Sequence, residues 1–384
     1  MNCILFDDFR GNLLPLTYTR PVAEIRIGIL TITEKWEHLL NTKCSFYTED
    51  YLQQKFSLII KDDNLWINGS ICPDNNLVNA IKSLKDNQCL KHNETLIAYR
   101  SKESIPSDII AYKGDFMQVS QLWHIYEYNH ECIQSDFKLL TDGRTSQLIS
   151  ETNACTNAEN IFIEDGAKVE HAILNASTGP IYVGKNAEIM EGSIVRGPLA
   201  ICENSVLKIG AKIYGATTLG PYCKVGGEVN NSVLLGYSNK GHDGFLGNSV
   251  LGEWCNLGAD TNNSNLKNNY AEVKLWNYPS ECFVNTGLQF CGLIMGDHSK
   301  CGINTMFNTG TVVGVSANIF GAGFPRNFIP SFSWGGSSGY TNYQLNKVFE
   351  SAKKVMSRRF KKLDQLEKDI LLNIFELTKK YRKD

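Results

Sequence analysis

The sequence has little net charge, no paired metal-binding cysteines and no long apolar run, and each absence removes a class of function. Lysine and arginine number 38 against 40 aspartate and glutamate, a formal charge of −2. Nothing global therefore draws the chain to nucleic acid or an anionic membrane, and neither nucleic-acid binding nor membrane insertion is expected. The 12 cysteines run from Cys3 to Cys301 without one Cys-x-x-Cys pair, which removes zinc-ribbon and thioredoxin-type sites. No uncharged apolar stretch approaches the ~20 residues of a membrane span. The opening Met1-Asn2-Cys3-Ile4-Leu5-Phe6-Asp7-Asp8 lacks a basic segment and a sustained apolar run, so the expected home is a reducing cytoplasm. Histidine is scarce at 7 residues. The spacing of His171, His242 and His298 does not suggest three ligands meeting on one zinc ion.

What the chain has instead is a period of six. Val183, Ile189, Val195, Ile201, Leu207, Ile213, Leu219 and Val225 recur without a slip, and the phase returns at Leu251, Leu257, Met295, Cys301, Phe307, Val313 and Ile319. A helix repeats near 3.6 and a simple strand near 2, so this is neither. One short strand plus one turn takes six residues, the unit of a parallel β-helix. Four residues after most rungs stands a small side chain (Ala187, Ser193, Ser205, Ala211, Thr217, Cys223), as a tight stacked corner requires.

Residues 1–150 show no such period and read as a small α/β domain. A buried strand is expected at Cys3–Phe6, apolar runs at Leu58–Ile60 and Leu96–Ala98, and helical patterns at Leu77–Leu84 and Phe116–Tyr128. Residues 155–330 read as the β-helix, with coils beginning near Ile161. The phase breaks between Asn262 and Glu281, where a protruding strand pair or loop is expected. Ser331–Gly339 reads as a linker. Residues 341–384 read as one or two amphipathic helices with Thr341 or Asn342 as cap, and carry twelve basic against six acidic residues. That tail reads as a helix capping the β-helix, a basic wall beside a phosphate-bearing ligand, or a subunit contact.

Lys240-Gly241-His242, then Leu257-Gly258-Ala259-Asp260-Thr261 and Ser264-Asn265-Leu266-Lys267, carry the one specific signal. A histidine between glycines is well placed to project from a coil and to exchange a proton near neutrality. These segments resemble the acetyltransferase domain of the GlmU family, bifunctional glucosamine-1-phosphate acetyltransferases and N-acetylglucosamine-1-phosphate uridyltransferases. The whole chain looks like the variant group of Bacteroidetes-type bacteria with a shortened N-terminal domain. The resemblance implies a left-handed β-helix that forms a homotrimer, with His242 as general base and Asn265 orienting the amine or acetyl group. It places Asn231, Lys240, Phe245 and Lys267 around the substrate, although Phe245 stands where the family has a tyrosine. Asn231 and Gly226 stand near a family lysine and arginine, leaving Lys240 and Lys267 as the available cations. Acetyl-CoA is expected along Ala259, Thr286, Gly302 and Arg326. Asp260 replaces a glycine of the family turn and brings a carboxylate to that path.

In the N-terminal region Arg10, Leu14-Pro15-Leu16-Thr17 and Arg20-Pro21-Val22 look like the opening of sugar nucleotidyltransferases. Where those enzymes place a Gly-rich turn, this chain has Asp7-Asp8-Phe9. Asp7 and Asp8 are candidate Mg2+ ligands, since two carboxylates would repel a triphosphate without a cation between them. Arg10, Arg20 and Arg26 are the candidate phosphate contacts for UTP or another NTP. The expected function is acetyl-CoA-dependent N-acetylation of an amino-sugar phosphate, with sugar-1-phosphate nucleotidyl transfer in the N-terminal domain. The alternative is a non-catalytic nucleotide-sugar sensor or scaffold with the same domain pair.

Overall fold

A computed structural model of the protein describes residues 2–382. Contacts divide the chain into two compact units. One runs to Gln121 but leaves out Leu14–Leu16 and Arg26–Ile29; the other takes those two segments and everything described from Leu122 onward. The division thus falls before residue 150, because the helix Asn129–Thr141 clusters with the second unit.

The first unit is built on a six-stranded mixed sheet. Asn2–Phe6 is central, parallel to both Cys44–Tyr47 and Asn64–Asn68. Thr95–Arg100 runs antiparallel to Asn64–Asn68 and pairs with Gln88–His92. The helix Ile32–Leu40 starts at a capping box, in which Thr31 accepts from the Glu34 N–H and the Glu34 carboxylate accepts from the Thr31 N–H. Two sequence expectations fail here. Leu58–Ile60 forms no strand and half-exposes Ile59 and Ile60; the strand is Asn64–Asn68, buried throughout. Phe116–Tyr128 forms only the strand Met117–Gln118 and the short helix His124–Glu127.

The second unit is a parallel β-solenoid with three faces, and the six-residue ladder builds it. Val183, Ile201, Leu219, Leu234, Leu251, Met295, Val313 and Ile329 pair in register down a nine-stranded first face. Ile189, Leu207 and Val225 do the same on a ten-stranded second face, and Val195 and Ile213 on a six-stranded third face. All these side chains fill one continuous core. Leu219 pairs with Leu234 rather than with position 237, so the coil between them is short; this is where the sequence phase is lost.

The small residues after each rung are buried and more than fillers. Ser205 Oγ donates to the Gly220 carbonyl (2.7 Å) and accepts from the Cys223 N–H (2.9 Å). Ser238 and Ser299 make the same pair of bonds to Gly252 and Cys255, and to Gly314 and Ala317. Each hydroxyl thus ties one coil to the next where the strand ladder is interrupted. Coils approach so closely that a Cβ on Gly220 would collide with the Leu235 carbonyl oxygen. At another corner Tyr222, Tyr237, Trp254 and His298 all take left-handed φ values and stack ring on ring, Tyr237 and Trp254 at 4.2 Å and 14°.

After the strand Asn262–Asn263, which pairs in parallel with Met306–Phe307, the chain leaves the coil and returns at Leu293 through the hairpin Lys274–Asn277/Cys282–Asn285, the expected protruding strand pair. Ser331–Gly339 is not a linker: Ser333–Gly336 joins the second face beside Asn318–Ile319 and turns back into Gly339–Asn342. Thr341 and Asn342 lie in that hairpin and cap no helix. The tail helices are Leu345–Ser357, which buries Val348, Ala352 and Met356, and Gln365–Leu377, which buries Ile370, Leu371 and Ile374. Leu219→Ala, at a fully buried rung, is expected to destabilise the solenoid by about 2–5 kcal/mol. Ile209→Ala, at a side chain 73% exposed, is expected to change it by less than about 0.5 kcal/mol. Denaturant midpoints followed by circular dichroism check both.

Candidate functional site

The corner between the second and third faces is a stacked column of glycine-rich turns, and it carries His242. Gly226 N–H donates to the Lys240 carbonyl (2.7 Å), Asp260 N–H to the Asp243 carbonyl (3.1 Å) and Asn304 N–H to the Ala259 carbonyl (2.8 Å). A Cβ on Gly258 would lie 2.5 Å from the Gly302 carbonyl carbon. Gly244, at φ +114°, has the Thr261 carbonyl oxygen where its Cβ would be, so no L side chain fits. Between Gly241 and Gly244 the chain therefore bows outward, leaving His242 and Asp243 exposed. Ala259 and Gly302 lie on the same column, one and two coils on.

Lys240 does not face a ligand. It is 1% exposed, and its ammonium donates to the carbonyls of Gly226 (2.9 Å) and His242 (2.7 Å). Burial pulls its pKa down to about 8. The apolar stem packs inside the coil while the head pins the turn that displays His242. The expectation of a substrate cation is replaced by a positioning role.

Asn265 and Phe245 meet at the far end of the next strand. Phe245 and Gly247 donate their N–H groups to the side-chain oxygens of Asn262 (2.8 Å) and Asn263 (2.9 Å), so the strand Asn262–Asn263 is joined to the coil before it by side chains. A Cβ on Gly247 would lie 2.5 Å from the Phe245 ring and 2.7 Å from Asn265 Nδ2. Asn265 Nδ2 donates to Asn248 Oδ1 (2.8 Å). His242 and Asn265 thus stand at opposite ends of Phe245–Gly247, a rise of about 10 Å for three strand residues.

Asn248 opens onto a cleft of about 720 Å³ at the corner between the third and first faces. Asn231, expected near the substrate, lines it together with Arg196, Tyr214, Glu127 and His130. Asn231 takes φ +43° and accepts the Ala216 N–H through Oδ1 (2.8 Å), which fixes the turn. Tyr126 braces the opposite wall through its hydroxyl, which donates to the Phe290 carbonyl (3.1 Å). Partial burial raises the Glu127 carboxyl pKa. Glu127, His130, Arg196 and Asn248 escaped the sequence reading because nothing local marks them; folding alone brings a helix against these corners.

The other expected cofactor residues separate. Thr286 is buried in the excursion, its hydroxyl donating to the Val273 carbonyl (2.9 Å) and its N–H to the same atom, away from the Ala259–Gly302 column. Lys267 and Arg326 line a different cleft, beside the hairpin.

In the first unit Asp7 and Asp8 follow the central strand but diverge. Asp7 is largely buried and accepts from the Val22 N–H (2.7 Å), Thr48 Oγ1 and Arg10 (3.4 Å); burial raises its pKa. Asp8 accepts from Asn68 Nδ2 (2.8 Å) and Gln118 Nε2 (3.5 Å) at the carboxyl edge of the parallel strands, the usual ligand position on such sheets. The two carboxylates share none of these partners, and because Asp7 already faces Arg10, Asp8 is the one that could take a cation bridged to a phosphate. Among the described residues no group of three histidine, cysteine or acidic side chains could hold a metal ion by itself. Arg10 donates to the Arg20 carbonyl (3.0 Å) and Tyr51 (2.7 Å) and is thus a bracing residue. Arg20 is 5% exposed. Arg26 is buried, donates to the Ile29 carbonyl and clusters with the second unit.

Residues 3–145 match the family model for sugar nucleotidyl transferases. None of the curated proteins matches the sequence. Among solved structures, an Arabidopsis UDP-N-acetylglucosamine acyltransferase is similar at 13% identity and TM-score 0.24, over 61% of this chain and 91% of that one. A point mutant of AntD, an N-acyltransferase from Bacillus cereus in complex with dTDP and coenzyme A, gives 13% and 0.23, over 56% and 100%.

Because Lys240 has a lower pKa folded than unfolded, the unfolded chain binds more protons between about pH 8 and the ordinary lysine value of 10.5. Its contribution to stability should therefore rise with pH across that window and be weakest below it. The stability of wild type relative to Lys240→Met, measured by denaturant unfolding from about pH 7 to 10, should move in favour of wild type. A constant difference contradicts the assignment.

Proposed function

We propose that the solenoid transfers an acetyl group from acetyl-CoA to the amino group of a glucosamine-1-phosphate-like sugar. In the same reading the N-terminal domain joins the sugar 1-phosphate to a nucleotidyl group from UTP or another NTP. The observation that carries the acetyl-transfer reading is the exposed His242, held out by a glycine-walled turn on the same column as Ala259 and Gly302. The match of residues 3–145 to sugar nucleotidyl transferases supports activated-sugar chemistry on the same chain.

In this reading the thioester lies along the corner column, where turn N–H groups and carbonyls are the available partners. The sugar lies across Phe245, with its amine toward His242 and its far end toward Asn265 and Asn248. Neutral His242 takes the proton as the amine attacks the thioester carbonyl, and returns it to the departing thiolate. A corner N–H stabilises the oxyanion that forms between those steps. Orientation of two bound reactants supplies most of the remaining acceleration. Ile173, Ile194 and Tyr214 leave apolar surface along the third face, which a homotrimer would cover. In the N-terminal domain Asp8, beside Asn68 and Gln118, is the carboxylate able to hold Mg2+ against a triphosphate. The burial of Asp7, with the lack of a glycine-rich turn at 7–9, favours a second reading in which that domain senses nucleotide sugars without turnover.

Acetyl transfer to glucosamine-1-phosphate is read by thiol release. His242→Ala should lower kcat/KM by about 10²–10⁴. Asn265→Ala should lower it by about tenfold or more, a lost oriented hydrogen bond, with circular dichroism and light-scattering mass unchanged. No turnover by folded wild type on any amino-sugar phosphate refutes acetyl transfer. Pyrophosphate release from UTP and a sugar 1-phosphate, abolished in Asp8→Asn, tests the other half.

A further inference from the structure

Beside the protruding hairpin lies a cleft of about 630 Å³ lined by Lys267, Lys274 and Arg326 together with Trp276, Phe283 and Phe328. A second cleft of about 300 Å³, lined in part by Tyr340 and Arg382, adjoins it at Arg326 and Phe328. Among the described residues, no acidic side chain lines either one. Lys274 and Arg326 are exposed and, among the described residues, meet no carboxylate. Lys267 is held by one bond from its ammonium to the Glu272 carbonyl (2.6 Å). Arg382 is committed to the wall: it sits 4.0 Å over the Phe375 ring and donates to the Phe375 carbonyl (2.7 Å).

The aromatic side is preformed. Trp276 stacks on Phe328 at 4.2 Å and 12°, and Phe283 meets Trp276 edge-on at 5.4 Å, leaving Phe283 41% exposed. The Trp276 indole N–H is buried and meets no acceptor among the described residues, unusual for a buried donor. Packing of a hairpin onto a solenoid explains the rings. It does not explain why three cations line one cleft whose described walls carry no carboxylate.

We propose that these joined clefts bind a nucleoside diphosphate group. Lys274, Lys267 and the Arg326 fork take the two phosphates, and the base stacks against Phe283 and the Trp276–Phe328 pair. The volume suits a nucleotide-sized ligand. That chemistry has two sources in the proposed function, the nucleotide end of coenzyme A and a nucleotide sugar. The site itself does not depend on acetyl transfer, because occupancy is read without turnover.

Full-length protein is titrated with coenzyme A, ADP and UDP by calorimetry and by tryptophan fluorescence. At least one ligand should bind with fluorescence quenching that Trp276→Phe removes, and weaken with added salt. Lys274→Ala and Arg326→Ala should each weaken binding about tenfold or more, with circular dichroism unchanged. Occupancy is read without turnover, so failure of the acetyl-transfer reading and failure of this site are seen separately. Coenzyme A binding about tenfold or more tighter than UDP, a difference of one good charge-assisted contact, identifies the acyl carrier as the source; the reverse identifies the nucleotide sugar. If no ligand binds, or every ligand binds both cation variants as tightly as wild type, the site is overturned.

Discussion

The main-chain ladder between successive coils is the interaction on which the solenoid depends. A single coil cannot satisfy its own backbone groups or bury its own rung; both are satisfied only by the coil above and the coil below. That requirement fixes the in-register column from Val183 to Ile329 and forces the close approach seen at Gly220 and Gly258. It also explains the serines at the corners. Where strands end and the ladder lapses, Ser205, Ser238 and Ser299 carry the bond from one coil to the next. The same requirement makes the last coil a liability, since its edge would stand open. The hairpin Ser333–Gly336/Gly339–Asn342 pairs with that edge, and Phe375 of the tail helix packs edge-on against the buried Phe332 at 5.1 Å.

The candidate sites lie where the ladder is perturbed. The turn at Gly241–Gly244 bows out from its column, and Lys240 holds it from inside the coil by donating to the His242 carbonyl and to Gly226 on the coil before. A buried ammonium is a costly way to fix a loop. Its place beneath His242 ties the position of that imidazole to the stability of the coil. The second perturbation is the excursion after Asn262–Asn263, a strand that pairs in parallel with Met306–Phe307 on the next coil but meets Phe245–Gly247 of the coil before through side chains. The Asn262 and Asn263 side-chain oxygens accept the Phe245 and Gly247 N–H groups, and the departure that follows brings Asn265 to Asn248 and raises the hairpin that walls the basic cleft. One insertion therefore shapes two candidate sites.

The two units differ in how readily they can be read. In the solenoid a rung is defined by its neighbours six residues away, so a local pattern reports a global column. In the N-terminal unit Leu58–Ile60 and Leu65–Ile67 are equally apolar to the eye, and only the sheet decides that the second is the strand. Asp7 and Asp8 are adjacent in sequence, yet just past the end of their strand the two side chains meet different partners. Arg10, Arg20 and Arg26 are grouped as phosphate contacts only by the resemblance to sugar nucleotidyltransferases; folding engages Arg10 with the Arg20 carbonyl and Tyr51 and clusters Arg26 with the second unit.

Residue spacing was enough to specify the solenoid and its buried rungs, the small corners, the protruding excursion and the projecting His242, because each follows from contacts that repeat at a fixed interval. Other features were set only by packing: Lys240 faces inward, Thr286 leaves the Ala259–Gly302 column, and Ser331–Gly339 pairs rather than links. Packing also put Glu127, His130 and Arg196 in one cleft with Asn231, and Lys267, Lys274 and Arg326 in another with Trp276 and Phe328. Those groupings join residues far apart in the chain, and no spacing rule encodes them; they arise only when coils, helix and hairpin come together.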